Sequence, residues 1–306
     1  MKMIFMKVLS VTIFVFVLFC LFACLNSNAN PITNANKKLA LFMPVLLCVS
    51  FGTSHNDNRD LSIGAVEKAL RLAFPNYELR RAFTSQIIIN KLKKRDNIII
   101  DNVKEAMDKL VADGVKELIV QPTHVMSGFE YDDVVEEVSK YKDKFESCKL
   151  SSPLLANDKD FKCLVKVLIS ETKSYNNKDT AIVWMGHGTE HRANAVYEKM
   201  QETFFAAGYK NYFVGTVESH PNVEDVLARV KKISAKKVVL LPLMIVAGDH
   251  AKNDMAGDDE DSWKTIFKKA GYNVEPVLKG LGEYTGVQQM IVDHAKETVQ
   301  GESISL

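Results

Sequence analysis

The sequence predicts an α/β fold made of two similar, doubly wound parallel-sheet domains that are related by internal duplication. Short apolar segments alternate with amphipathic ones along the chain, a pattern typical of parallel strands joined by crossover helices. Three segments of the first half recur, in the same order, in the second half. Folds of this class bind ligands outside the carboxyl ends of their strands, so function is expected in loops that differ between the copies.

The first half begins with a buried apolar strand at 39–50, followed by a helix at 61–74 whose apolar residues have helical spacing. The other predicted elements are strands at 77–83 and 115–121 and helices at 101–113, 131–145 and 158–172. Gly114 stands after one of these helices as a C-cap. A polar, asparagine-rich junction at 173–179 closes this half, so we predict an N-terminal domain over 39–172.

The second half repeats the alternation after the junction. Its predicted strands are 180–185, 211–217, 236–246 and 273–278, and its predicted helices are 193–207, 222–233, 260–270 and 283–299. Gly208 and Gly271 each stand between a helix and the strand that follows it. We therefore predict a C-terminal domain over 180–300 that carries the candidate site.

The repeated segments differ at three loop positions. An apolar strand ends in Ser50-Phe51-Gly52-Thr53 in the first copy and in Met185-Gly186-His187-Gly188 in the second. Superposing the copies pairs Phe51 with His187, Gln86 with Glu218, and Glu130 with His250. The second copy has gained two histidines and a carboxylate at three strand ends, which predicts a metal site.

Two imidazoles and one carboxylate suit a borderline divalent ion such as Co²⁺, Fe²⁺, Ni²⁺ or Zn²⁺, and they leave positions open for another ligand. Each residue alone also has a simpler interpretation. His187 is compatible with a hydrogen bond inside a strand-to-helix turn, and Glu218 with a helix cap. Asp249 is expected to orient His250, because metal-bound histidines commonly donate their second N–H to a carboxylate.

Charge and motifs argue against several functional classes. The chain has 39 basic and 38 acidic side chains, a net charge of +1, and gives no sign of the basic face that nucleic-acid binding requires. Gly186 and Gly188 lack the third glycine of a dinucleotide fingerprint, and the sequence has no Gly-x-x-x-x-Gly-Lys loop, so no nucleotide cofactor is expected. The sequence also lacks the Gly-x-Ser-x-Gly elbow of serine hydrolases.

Residues 1–24 have the pattern of a signal peptide, and we expect the protein to be exported. Two lysines precede the apolar run Val8–Phe22, which is too short for a comfortable membrane span. The ending Leu21-Phe22-Ala23-Cys24 resembles a bacterial lipoprotein cleavage box, which predicts a periplasmic or membrane-anchored lipoprotein with a lipid on Cys24. Membrane contact is then expected through that lipid anchor alone.

Residues 25–38 are rich in asparagine and are predicted to form a solvated tether between the leader and the first domain. Two alternatives to lipidation are open at this point. Cleavage after Ala29, in Ser27-Asn28-Ala29, would give a simply secreted protein, and an uncleaved leader would give a membrane anchor.

The motifs together resemble the anaerobic-pathway sirohydrochlorin cobaltochelatases of the CbiK type, which are ATP-independent relatives of ferrochelatase. The resemblance spans about residues 39–300. The matching segments are Ser50-Phe51-Gly52-Thr53-Ser54-His55, Gln121-Pro122-Thr123-His124, Met185-Gly186-His187-Gly188, Gly215-Thr216-Val217-Glu218 and Ala247-Gly248-Asp249-His250-Ala251-Lys252-Asn253-Asp254-Met255-Ala256-Gly257-Asp258.

This resemblance implies a chelatase that inserts Co²⁺ into sirohydrochlorin, or a related tetrapyrrole, with release of two protons. It implies that His187, Glu218 and His250 bind the metal and act in catalysis, with the macrocycle in the cleft between the domains. Four residues near the motifs are expected to line the substrate cleft: His55, Arg59, Arg192 and Lys252. A structural role is the favoured interpretation of both His55 and His124 taken alone; for His124 the alternative is binding of a further ligand.

The leader departs from the cytoplasmic members of that family and supports a second functional hypothesis. An exported haem- or metal-binding lipoprotein, or a haem dechelatase that serves iron or tetrapyrrole uptake, would also have a leader. The complete trio favours the chelatase, because haem binding alone would need only one axial ligand. A homo-oligomer is compatible with either hypothesis.

Overall fold

Two four-stranded parallel sheets organise the protein, as seen in a computed structural model that describes residues 43–301, 303, 304 and 306. The first sheet contains β1 (Val45–Ser50), β2 (Glu78–Phe83), β3 (Glu117–Pro122) and β4 (Ser147–Leu150), in the order β2-β1-β3-β4. The second contains β5 (Thr180–Gly186), β6 (Tyr212–Thr216), β7 (Lys237–Pro242) and β8 (Asn273–Pro276), in the order β6-β5-β7-β8. The matching strand order confirms the predicted α/β fold class and supports the duplication.

Nine α-helices of seven or more residues connect the strands in the described part of the chain. They are α1 (Gly64–Ala73), α2 (Gln86–Asp96), α3 (Val103–Ala112), α4 (Phe129–Ser139), α5 (Asp158–Glu171), α6 (Ala195–Ala206), α7 (Val223–Val230), α8 (Trp263–Lys269) and α9 (Thr285–Gln300). Shorter helical turns occupy Asn56–Asn58, Arg59–Ile63, Lys142–Lys144, Arg192–Asn194, Ala251–Met255 and Leu281–Glu283. Those at Arg59–Ile63 and Ala251–Met255 are π-helical.

The inner strands β1, β3, β5 and β7 are mostly apolar and buried, because helices cover both faces of each sheet. All residues of β1 and β5 are buried, as expected for parallel strands between helical layers. One apolar cluster packs between the sheets and includes Leu46, Trp184 and Ile291. Two further clusters cover the outer faces of the sheets. A shared central core therefore fixes the strand ends of both sheets relative to each other.

Residues Pro44–Leu306 form one compact unit that contains both sheets. The last helix, α9, packs against α1 and α5 and against strand β3 of the first sheet. The chain thus crosses back to the first half after completing the second sheet. The boundaries 39–172 and 180–300 stay predictions. The predicted leader at 1–24, its Cys24 and the tether at 25–38 lie outside the described residues.

The structure corrects several predicted element boundaries. The strand predicted to start at residue 39 begins at Val45 within the described chain, and the strand predicted over 236–246 ends at Pro242. Helix α2 and strand β4 were not predicted. Helix α2 buries only Ile89 and Leu92, so its apolar stripe is weak, and the four-residue edge strand β4 is too short to give an alternating pattern.

Among the residues that the structure describes, no helix combines the length and the apolar character needed to cross a lipid bilayer.

Candidate metal centre

His187, Glu218 and His250 converge at the carboxyl edge of the second sheet. His187 follows β5, Glu218 lies two residues after β6, and His250 lies at the start of the helical turn after β7. One potential ligand atom from each residue lies within 4.8 Å of those of the other two, the one such set of three or more metal-ligating side chains in the described chain. The two imidazole rings meet edge to face, with centroids 4.6 Å apart. The structure thus brings together the three residues predicted from the repeat.

Two glycines around His187 set its position, for different reasons. Gly188 has a φ of +89°, a left-handed conformation that favours glycine and turns the chain sharply after the imidazole. Gly186 leaves room for the buried Tyr197 ring, which a Cβ at that position would meet at 2.0 Å. The Tyr197 hydroxyl in turn accepts a hydrogen bond from the Gly188 amide. The turn that carries His187 is therefore fixed by packing.

Glu218 is tied to the His187 loop through the backbone. Its amide donates to the His187 carbonyl oxygen at 2.8 Å, and the neighbouring Val217 amide lies 3.1 Å from the same oxygen. The Glu218 carboxylate lies 3.6 Å from His187 Nδ1 and 4.0 Å from His250 Nε2. Helix α7 is capped instead by Asn222 and Asp225, so the structure excludes Glu218 as its cap.

His250 is oriented by Asp254 and not by the predicted Asp249. His250 Nδ1 lies 2.8 Å from Asp254 Oδ2, four residues along the chain. Asp249 points the other way and accepts a hydrogen bond from His55 Nε2 at 2.8 Å. Asp254 stands in the long motif with His250, but no role was predicted for it. Its spacing of four from His250 was the signal, because residues four apart share a face of a helical turn.

The size and exposure of the trio suit an ion that is bound and then released. Metal–nitrogen bonds of about 2.1 Å allow ligand atoms at most about 4.2 Å apart, so a small inward rotation of the side chains would close the site on an ion. The side chains of His187, Glu218 and His250 are 43%, 53% and 36% exposed. A large second ligand can therefore approach the open side of the ion. Two neutral imidazoles and one carboxylate suit a borderline divalent metal.

The strand register shifts one of the three predicted correspondences. Ser50 pairs with Phe83 in the first sheet, and Gly186 pairs with Thr216 in the second. Phe83 therefore corresponds to Thr216, and the counterpart of Glu218 is Ser85, not Gln86. Gln86 begins helix α2. The sequence superposition matched the threonines Thr84 and Thr216, which lie one register position apart.

The predicted cleft residues His55 and Lys252 meet in a hydrogen-bonded chain that joins the two halves. The Lys252 ammonium, which can only donate, lies 3.1 Å from His55 Nδ1, so the ring donates through Nε2 to Asp249. This hydrogen bond from His55 lowers the pKa of Asp249. Asp249 and Lys252 flank His250 in sequence, so the chain of contacts lies next to the candidate metal ligand.

A second contact joins the two halves four residues after His187. His191, in the loop after β5, packs edge to face on Phe129 of α4 with centroids 4.9 Å apart, and its Nε2 lies 3.4 Å from Asp132 Oδ2. Residues of the first half thus contact segments of the second half that lie next to His187 and His250 in the sequence. Neither Phe129 nor Asp132 was predicted as a site residue, and their position became evident only when both halves were folded together.

A model of the cobalt chelatase (CbiK) family matches residues 44–300. The chain belongs to this family. It is 40% identical over 254 residues to the sirohydrochlorin cobaltochelatase of Salmonella typhimurium, over 83% of this chain and 96% of that protein. It is 31% identical over 260 residues to sirohydrochlorin cobaltochelatase CbiKC of Nitratidesulfovibrio vulgaris, over 83% of this chain and 90% of that protein.

Among solved structures, the chain is similar to SirB from Bacillus subtilis with Fe³⁺. The TM-score is 0.61 at 13% sequence identity, and the alignment covers 86% of this chain and 99% of that one. At this identity the likeness shows the fold alone. It agrees with the predicted chelatase-like arrangement of two parallel sheets.

The two arginines predicted to line the cleft differ in their exposure to solvent. Arg59 is buried, and its guanidinium donates to Asn56 Oδ1 at 2.9 Å, which leaves little of the side chain exposed to a ligand. Its position is explained by the π-helical turn Arg59–Ile63, which turns the side chain into the protein. Arg192 is exposed at the start of the helical turn before α6, five residues after His187. It stays a candidate for binding the carboxylates of a substrate.

His124 lies two residues after β3. Both ring nitrogens are inaccessible to solvent and have no hydrogen-bond partner, although other parts of the residue are accessible. Burial lowers the pKa of His124 to about 4, so the ring is neutral at neutral pH. The residue is not one of the clustered metal-ligating side chains of the described chain.

Proposed function

We propose that the protein is a sirohydrochlorin cobaltochelatase, which inserts Co²⁺ into its substrate ring with release of two protons and without a nucleotide. The observation that carries this proposal is the convergence of His187, Glu218 and His250 at an open strand edge. Membership of the cobalt chelatase family supports the choice of reaction, and the names of the two relatives support the choice of substrate.

The trio can hold the ion on one side while the ring approaches from the other. One carboxylate and two neutral imidazoles neutralise only half of the charge of a divalent ion, and three ligands leave further positions open. The ring nitrogens can then replace water at these open positions. The protein contributes by removing water from the ion and by orienting it toward the ring.

The same three side chains can accept the protons that the ring loses. Insertion replaces two N–H protons of the ring by one divalent ion, so two protons must leave for each ion inserted. As the ion moves to the ring, the imidazole nitrogens and the Glu218 carboxylate become free to act as bases. The exposure of Glu218 gives protons a route to solvent from the site.

Cations beside the site suit a substrate that has several carboxylates. Lys252 lies two residues from His250 and is held by His55, and Arg192 is exposed near His187. Both are proposed to contact substrate carboxylates, with His55 positioning Lys252. Arg59 is left out of this set because its guanidinium is buried against Asn56.

Anaerobic mixing of the purified mature protein with sirohydrochlorin and Co²⁺ tests the proposal. The absorption spectrum of the ring should change to that of the cobalt complex, many times per protein molecule. Parallel reactions with Fe²⁺, Ni²⁺ and Zn²⁺ rank the metals, since the ligand set suits all of them. A spectrum that stays unchanged with every metal, while the protein is folded, would contradict the proposed activity.

We also propose that the protein is exported as a lipoprotein, on the pattern of residues 1–24. This pattern favours the second candidate function, an exported haem- or metal-binding protein or a haem dechelatase. One comparison of turnover with binding distinguishes the two functions. A chelatase turns over sirohydrochlorin and Co²⁺ repeatedly, whereas a binding protein saturates at one ligand for each site, and a dechelatase releases iron from haem.

A further inference from the structure

The contact between His250 and Asp254 fixes which nitrogen of the ring can bind a metal. An ionised carboxylate can only accept hydrogen bonds, so His250 Nδ1, 2.8 Å from Asp254 Oδ2, must carry the hydrogen. The lone pair of the neutral ring then lies on Nε2. This nitrogen faces Glu218, whose Oε1 is 4.0 Å away. Asp254 therefore leaves the free lone pair on the side where the trio converges.

The local fold holds Asp254 in this position. The turn Ala251–Met255 is π-helical, and Ala251 and Met255 are fully buried four residues apart. His250 and Asp254 each precede one of these buried residues, so they share the neighbouring face of the turn. The turn closes at Gly257, where a Cβ would meet the Asn253 carbonyl oxygen at 2.2 Å. Packing of the turn thus sets the spacing between carboxylate and imidazole.

His187 is held differently. Its Nδ1 lies 2.8 Å from the carbonyl oxygen of Gly188, a neutral acceptor in the adjacent residue. A carboxylate partner strengthens an imidazole as a metal ligand more than a carbonyl does, because the negative charge stabilises the metal-bound ring. The two histidines of the trio are therefore not equivalent.

We propose that Asp254 is a positioning residue of the metal centre, which fixes the tautomer of His250 and strengthens its Nε2 as the ligand that captures the incoming ion. This inference rests on the proposed function for its role in insertion. The tautomer and the capture of metal by the protein alone do not depend on turnover.

The experiment measures both quantities in the full-length mature protein without tetrapyrrole. Nitrogen-15 NMR at a pH of about 8, where ordinary imidazoles are neutral, should show His250 with hydrogen on Nδ1, assigned by comparison with His250→Gln. Titration with Co²⁺ should give a Kd about 10- to 100-fold higher for Asp254→Asn than for the wild type, the usual effect of losing such a partner. Asp254→Glu should recover part of that loss.

Asp225→Asn is the matched control. His220 Nδ1 and Asp225 Oδ2 form an equally long 2.8 Å contact, but His220 is outside the trio, so its variant should bind Co²⁺ like the wild type. Hydrogen on Nε2 of His250 in the wild type would overturn the proposal without any variant. So would an Asp254→Asn protein whose Kd for Co²⁺ stays within about twofold of the wild type, against the expected range. If the wild type binds Co²⁺ but does not insert it into sirohydrochlorin, the proposed function fails, while the role of Asp254 in metal capture is judged by the Kd alone.

Discussion

Phe51 and His187 occupy the same place in the two halves of the protein, each directly after an inner strand of its sheet. In the first half this place holds an exposed aromatic ring, and in the second half it holds a candidate metal ligand. The two sheets have the same strand order, so the backbone follows the same course at both places. The difference between the halves is therefore one of side chains on a common frame.

The first prediction concerns the trio itself. His187→Ala and His250→Ala should each lower Co²⁺ insertion by more than about 100-fold, because a lost ligand should cost at least as much as a lost supporting residue. Glu218→Gln keeps the shape of the side chain but removes its negative charge, so it should weaken metal capture. Insertion rates with sirohydrochlorin, together with circular dichroism to verify folding, are the measurements.

His220→Ala is the control for this series. His220 is 80% exposed and pairs with Asp225 rather than with the trio, so its removal should change insertion little. A crystal structure with Zn²⁺ should show metal–nitrogen distances of about 2.0–2.1 Å to both histidines. Near-normal insertion by His250→Ala would mean that the site is misassigned.

The second prediction concerns the glycine before His187. Gly186→Ala should destabilise the protein by about 1–3 kcal/mol, since the new methyl group meets the buried Tyr197 ring at 2.0 Å and the core must shift. It should also lower insertion by moving the His187 turn. Gly248→Ala, which meets no atom within 4 Å, should change the free energy of unfolding by less than about 0.5 kcal/mol. Equal stabilities in urea unfolding would refute this reading of Gly186.

The third prediction concerns the buried pair His294 and Asp160. Their side chains are 6% exposed each, and Nε2 lies 3.1 Å from Oδ1. Burial alone would lower the pKa of His294, but the hydrogen bond and charge of Asp160 outweigh burial and raise it. Burial acts to raise the pKa of Asp160, yet the hydrogen bond from His294, its charge and two backbone amides lower it.

The signs of these shifts define a pH window. The raised pKa of His294 gives stability that is complete below its unfolded value of about 6.5 and is lost as pH rises through the folded pKa. The lowered pKa of Asp160 gives stability that is present above about 4 and is lost as pH falls through its folded pKa. Urea unfolding should therefore show the largest gap between the wild type and a His294→Gln, Asp160→Asn double variant at about pH 5. A gap that is constant from pH 5 to about pH 9 would contradict this account.

His294→Ala alone should lower the free energy of unfolding by about 3 kcal/mol, because it leaves Asp160 as a buried charge without its partner. The sequence gives no sign of this role, because His294 lies on no repeated motif. Its burial between α5 and α9 is decided by the tertiary structure.

The fourth prediction concerns export. Cells fed a palmitate analogue should label the wild-type protein but not Cys24→Ala, because lipidation requires that thiol. Fractionation should place the wild type with membranes. If the wild type takes up no label but is found outside the cytoplasm, simple secretion replaces the lipoprotein assignment.

Particular residues show which parts of the site could be predicted from the sequence. The trio followed from comparing the two copies, because parallel strands place their carboxyl ends at one edge and equivalent loops in equivalent positions. The correspondence of Gln86 with Glu218 was wrong by one residue. It rested on matching two threonines by residue type, whereas the hydrogen-bond register between neighbouring strands sets which positions are equivalent. Asp249 and Asp254 both lie close to His250 in the sequence, and the sequence did not show which carboxylate the His250 ring would face.

The sequence by itself determined the alternation of strands and helices, the duplication and the identity of the three candidate ligands, because these depend on local pattern and on repeated order. Only the tertiary structure decided that Asp254 contacts His250, that Asp249 bonds to His55, and that Arg59 is buried against Asn56. Such choices depend on the direction in which a side chain leaves a particular turn. That direction is set by packing between segments distant in the chain, as Tyr197 shows against Gly186.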